Sequence, residues 1–109
     1  MELVNLTPHA VTFYGEDGNV LFAVEPSGVV ARCTERATKV GEINGIPVVS
    51  KSFGEIYDLP EAKEGTIYIV SLIVALAAKA SGRDDLRIVA DPVRNEKGQI
   101  IGCRSLCIA

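Results

Sequence analysis

The dipeptide Asn44-Gly45, set between KVGEI and IPVVSK, constrains this chain more than any other feature. Both residues accept positive φ, which the tight type I′ turn of a β-hairpin demands. Two antiparallel strands must leave it. Pro47 has no N–H to give a ladder, so its strand lies at a sheet edge or begins, unpaired, at Pro47. Similar signals recur. Asp17-Gly18 turns Val11–Tyr14 back into Val20–Val24, EPSG (25–28) precedes a strand over Val29–Thr34, and Asn95–Gly98 turns the last hairpin.

The period changes once. TIYIV (66–70) is a nearly all-apolar strand, as at a sheet centre. Ser71 suits a helix N-cap, LIVALAAKA suits the helix, and Gly82 suits the left-handed residue beyond its end. Only Lys79 is charged between Ser71 and Ser81, which predicts a helix buried nearly all round, either across the sheet or between two subunits. Leu86–Ala90 is a further strand, with Asp91-Pro92 as its stop. TIYIV, the helix and LRIVA can form a βαβ crossover, right-handed by the general rule. SFGEIYDLPEAKEG (52–65) reads as a loop over one end of the sheet. The expected fold is α+β: one domain over residues 1–109, a mostly antiparallel sheet of about seven strands, and one central buried helix.

The opening LVNLTPHAVTFY would be one strand but for Thr7, Pro8 and His9, and His9 is the sole histidine. Either Pro8 bends the strand for shape alone, or the break aims Asn5, Thr7 or His9 into a site.

Composition narrows the function. The net charge is −3, a poor match to duplex DNA. Residues 83–109 carry five basic and four acidic side chains, so a local anion site stays open. Three cysteines without a paired C-x-x-C make neither a disulfide framework nor a zinc site. Cys103 and Cys107 read as reduced, buried or half-buried residues. The longest apolar run, IYIVSLIVALAA, is too short for the roughly 20 residues that span a bilayer. With no basic start or leader-like apolar run, the expected place is the cytoplasm.

No phosphate-binding loop, dinucleotide fingerprint, zinc-protease motif or nucleophile elbow is present. Ser71 sits at a strand-to-helix turn but lacks flanking glycines, so an N-cap explains it better than a nucleophile. Asp84 and Asp85 read more simply as a solvated loop than as an acid–base pair. Arg32 in GVVARCT and Arg104 in IIGCRSL lie among apolar residues, and Arg94 opens the last hairpin. An arginine inside an apolar strand must find an internal acid such as Asp91, or an anionic ligand matched to its planar fork. His9 is either a satisfied strand-end residue or a ligand contact. The candidate ligand-binding set is Arg32, Arg104, Arg94, His9 and Asp91. No residue is assigned to catalysis or metal, and no cofactor is expected.

The run NLTPHA, then PSGVVAR, then VRNEKGQIIGCRSL, resembles a family of small phage and prophage proteins over nearly the whole chain. That family is similar to the first Thoeris anti-defence proteins. Those are phage sponges that sequester, without cleaving, the cyclic ADP-ribose signal made by a host TIR-domain enzyme. The resemblance implies a non-enzymatic binder of a cyclic nucleotide-type molecule in the infected cell. It implies arginines on two phosphates, which Arg32 and Arg104 would supply, and an aromatic or polar pair for the base, the aromatic being Tyr57, Phe53 or Tyr68. It also implies a homo-oligomer, a dimer or a hexamer, with pockets at subunit interfaces. The rival readings are a phage interaction protein that blocks a host protein and a small hydrolase using His9 with Asp84 or Asp85.

Overall fold

A computed structural model describes residues 1–109. The order is β1 (Glu2–Asn5), β2 (Val11–Tyr14), β3 (Val20–Val24), β4 (Arg32–Ile43), β5 (Ile46–Tyr57), β6 (Thr66–Ile69), α1 (Leu72–Lys79), β7 (Leu86–Arg94) and β8 (Ile100–Cys107). Strands dominate and the helix is single, as expected. The strands number eight, however, and divide between a sheet of six, β1-β6-β7-β8-β2-β3, and a separate ribbon of β4 and β5.

The six-stranded sheet is mixed rather than mostly antiparallel. β1 with β6, β6 with β7, and β2 with β8 all run parallel. The β6–α1–β7 unit is thus the expected crossover. The sheet also bends toward closure. Beyond β3 the chain returns to β1: the Ser27 amide donates to the Asn5 carbonyl (2.9 Å) and the Ala31 amide to the Leu6 carbonyl (3.1 Å). On its other side β1 meets β6, where the Leu6 amide donates to the Ile69 carbonyl (2.9 Å). The result is nearly a barrel.

β6 is buried on both faces, which explains its unbroken apolar run. Ile69 packs with Phe13 and Cys103. Tyr68 and Val70, on the opposite face, pack with Val74, Ala75 and Ala78 of α1 and with Leu6 and Leu86. Within one chain the helix is not buried all round. It covers the sheet with one stripe only, and Leu72 and Leu76 are 54% and 38% exposed. Two helical turns lying on one sheet face can bury only one side. No helix is long and apolar enough to cross a membrane.

Three local expectations change. TPHA is no kink within one strand. It separates β1 from β2, which are not sheet neighbours. Asp91-Pro92 does not stop β7: Asp91 takes φ 56°, and the ladder resumes at Pro92 opposite Cys103. Residues 52–57 are strand rather than loop, so β5 matches β4 at 12 residues.

The Asn44-Gly45 turn forms as read, with φ of 52° and 81°. It caps an arm rather than a strand pair within the main sheet. Cys33 and Ile56 root the arm on the core. From there it projects about 30 Å at roughly 3.3 Å per residue. The radius of gyration, 16.6 Å, exceeds the roughly 13 Å of a compact chain this long.

Candidate functional site

Asn5 organises one end of the sheet. It is 1% exposed and its amide is fully used. Nδ2 donates to the His9 carbonyl (2.7 Å) and the Val24 carbonyl (3.1 Å). Oδ1 accepts the Thr7 amide (2.9 Å) and the Thr7 hydroxyl (2.6 Å). That is an Asx-type turn, in which a side chain imitates backbone and folds the next residues back on themselves. It answers the question posed by the opening segment. Pro8 and His9 stand at the tip of a loop that Asn5 holds over the sheet end, and His9 is exposed there.

This loop forms one wall of an apolar groove of about 630 Å³. Thr7, His9 and Ala10 line it from the loop, and Val11 and Thr12 from β2. Val70, Ser71 and Leu72 come from the junction of β6 and α1. Ile88 and Val89 of β7 and Ile100 to Cys103 of β8 complete it. Parallel pairing of β1 with β6 sets the end of β1 beside the start of α1, so residues far apart in sequence share one groove.

Its polar groups are few. Ser71 has extended geometry at the N-cap, but its hydroxyl makes no capping bond. The amides of the first helical turn lack intrahelical partners by geometry and carry the positive end of the helix dipole. His9 lines the same groove, and its ring nitrogens can hydrogen-bond a ligand. Burial raises the Cys103 thiol above its ordinary range, so it stays protonated and is a poor nucleophile. Gly102 lets β8 approach β2: a Cβ there would stand 2.5 Å from the Thr12 carbonyl oxygen.

Of the five candidates, His9 alone lines the groove. Arg32 and Arg104 are exposed rather than interior. Their neighbours Ala31 (5%) and Cys103 (3%) take the inward positions, and strand alternation turns both arginines outward. Arg94 is exposed and donates through Nη1 to the Gly98 carbonyl (2.8 Å), which ties the last turn. Asp91 is exposed between Ala90 and Pro92, whose partners Ser105 and Cys103 set it level with Arg104. No ion pair joins Asp91 to an arginine. Arg32 begins the arm, whereas Arg94, Asp91 and Arg104 belong to the β7–β8 hairpin. None of the three aromatic candidates lines the groove. Tyr68 is buried against α1, and Phe53 and Tyr57 stand on the arm, where the Tyr57 hydroxyl donates to Glu55 (2.8 Å).

Asp84 and Asp85 do not meet His9; they line separate depressions from the groove. Asp85 is 8% exposed rather than solvated. Arg83 grips it through Nε (2.8 Å) and Nη2 (2.9 Å). That guanidinium holds the Asp85 carboxyl below its ordinary range, against the opposing effect of burial. The pair clasps the turn after α1. Cys33 is half-buried and Cys107 exposed; all three thiols are free. No three His, Cys, Asp or Glu side chains gather as a metal site would require.

Comparison with known proteins returns no match: no family model, no curated protein and no solved structure is significantly similar to the chain.

Proposed function

We propose that this protein is a phage anti-defence sponge, which holds a cyclic ADP-ribose-type nucleotide in the groove at the sheet end and does not cleave it. The groove carries this reading. Its floor is apolar and its rim offers hydrogen-bond donors: the Ser71 hydroxyl, His9 and the first amides of α1. An apolar floor suits a nucleoside, and donors at a helix N-terminus suit a phosphate. The resemblance of NLTPHA, PSGVVAR and VRNEKGQIIGCRSL supplies the class of molecule and the homo-oligomer.

Binding without chemistry is favoured because the groove gathers no catalytic constellation. His9 has no carboxylate beside it, Asp85 is committed to Arg83, and the Cys103 thiol is protonated. Arg32 and Arg104 stand outside the groove, so they serve this site only where another subunit brings them to it.

The test is to incubate the protein with a cyclic ADP-ribose isomer, remove free ligand and heat the complex. Release of intact ligand supports the sponge. Release of a cleaved product identifies a hydrolase. No uptake leaves the reading of an interaction protein that blocks a host protein.

A further inference from the structure

We propose that β3 is a docking strand for an extended segment of another protein, one that alternates apolar residues and carries Lys or Arg at both ends. VLFAV (20–24) is an unbroken apolar run, much like TIYI of β6. Such a run belongs where a sheet is covered on both faces. β6 has that cover: Tyr68 and Ile69, which point to opposite faces, are 5% and 0% exposed. β3 lacks it. Val20, Leu21 and Phe22 are 56%, 64% and 49% exposed, and Leu21 and Phe22 point to opposite faces. The Phe22 ring tilts against Phe13, centroids 5.2 Å apart, and still leaves about half its surface bare.

β3 also ends the sheet, with β2 as its one partner strand. Its last residue is engaged from β1: the Val24 carbonyl accepts Asn5 Nδ2 on the side away from β2 (3.1 Å). Main-chain groups alternate sides along an antiparallel ladder. Phe22, two residues earlier, therefore turns its N–H and C=O the same way, where no strand pairs with them. Natural edges are often guarded by a lysine, a proline or an inward charge. β3 contains none of these. No residue of β3 lines the groove, so this site stands independently of the nucleotide reading.

Charge selects the partner. Residues 1–31 contain no Lys or Arg. Glu16 and Asp17 stand before β3 and Glu25 directly after it; all three are exposed and none forms an ion pair. Asn19 donates to the Asp17 carboxylate from its backbone amide and from Nδ2, both at 3.0 Å, which holds that carboxyl below its ordinary range. β2 carries no charged side chain, so Arg104 on β8 stands two strands away, roughly 10 Å. Nucleic acids and anionic membranes are repelled by such an edge. A second copy of β3 is disfavoured as well. Antiparallel pairing would set the Glu16–Asp17 end against the Glu25 end, and parallel pairing would set each acid against itself. A foreign strand with cations at both ends meets carboxylates at both ends, while main-chain bonds and alternate apolar contacts hold its middle.

The experiment is fluorescence anisotropy, without nucleotide and at low salt, of the labelled peptide Lys-Lys-Val-Thr-Val-Thr-Val-Lys-Lys. The wild type should bind it at least about tenfold more tightly than a twin with Glu in place of every Lys. A twin with Pro in place of the central Val, which breaks the strand, should also bind about tenfold more weakly. Glu16→Lys/Glu25→Lys spares Asp17 and its turn, and it should reverse the preference between the Lys and Glu peptides. Leu21→Thr puts a good strand former at the edge and should weaken the Lys peptide about threefold or more through lost apolar contact. No uptake of the Lys peptide overturns the proposal. Equal binding of the proline twin reports charge attraction alone and overturns it too. So does an unchanged preference in the double variant or an unchanged affinity in Leu21→Thr. Self-association of the wild type that Leu21→Thr abolishes makes a second copy the occupant and equally overturns it.

Discussion

Replacing Asn5 with alanine removes the centre of the loop that walls the groove. Four side-chain hydrogen bonds disappear, at 2.6 to 3.1 Å. The Val24 carbonyl and the Thr7 amide lose the Asn5 side chain, and the His9 carbonyl keeps only the Thr7 hydroxyl (3.0 Å). A protein hydrogen bond contributes about 0.5–1.5 kcal/mol net, and a buried polar group left unpaired costs about 1–3 kcal/mol. Water can reach the exposed His9 end and recover part of the loss. The expected destabilisation is about 3 kcal/mol, a large fraction of the 5–15 kcal/mol typical of a domain. In a chain of this size that lowers the melting temperature by roughly 12–24 °C. Thr7→Val, which removes one hydroxyl, should cost about 1 kcal/mol. Differential scanning calorimetry with urea unfolding measures both. An Asn5→Ala protein that melts within about 2 °C of wild type would refute the reasoning, because the loop would then stand without its amide.

Three further outcomes follow from the geometry. The lowered Asp85 carboxyl binds fewer protons in the folded state than in the unfolded one, so its stabilisation is present above about pH 3.9 and is lost as pH falls through the native value; the gap in unfolding free energy between wild type and Asp85→Asn should therefore narrow in acid. Gly102→Val should force β8 from β2 and cost roughly 3 kcal/mol or more, read as a lower melting temperature or insoluble protein. Arg32→Ala and Arg104→Ala should melt within about 0.5 kcal/mol of wild type, since both residues are exposed and neither forms an ion pair.

What the sequence disclosed was local. Asn44-Gly45, Asn95–Gly98 and the Ser71-to-Gly82 helix each carry their own geometry, and each stands where it was read. Partners far apart in sequence were hidden. Nothing in VTFY announces parallel pairing with β8, or in ELVN pairing with β6. Ser52–Tyr57 looked like loop as part of a stretch rich in glycine, proline and acids, yet Gly54 is there for a close approach: a Cβ would strike the Thr34 hydroxyl across the ribbon. Asp91-Pro92 looked like a stop, yet one residue at positive φ carries the strand past it. The arginines were legible and misread. Period two places Arg32 beside an inward Ala31 and Arg104 beside an inward Cys103, so apolar neighbours mark an outward arginine rather than a buried one. Asn5 had a signal too, an Asn two residues before a Thr-Pro, which suits an Asx turn. The groove had none, because four separate segments build it.

The central claim is that a nucleotide-type ligand lies in the groove between His9 and the start of α1. Ser71→Trp tests it most directly. Ser71 is exposed, makes no side-chain cap bond and lines the groove, so an indole there fills the space without removing a stabilising contact. Calorimetric titration with a cyclic ADP-ribose isomer should show Ser71→Trp binding at least about a hundredfold more weakly, or roughly 2.7 kcal/mol, with an unchanged melting temperature. Wild-type affinity in a folded Ser71→Trp protein would contradict the account and place the ligand elsewhere.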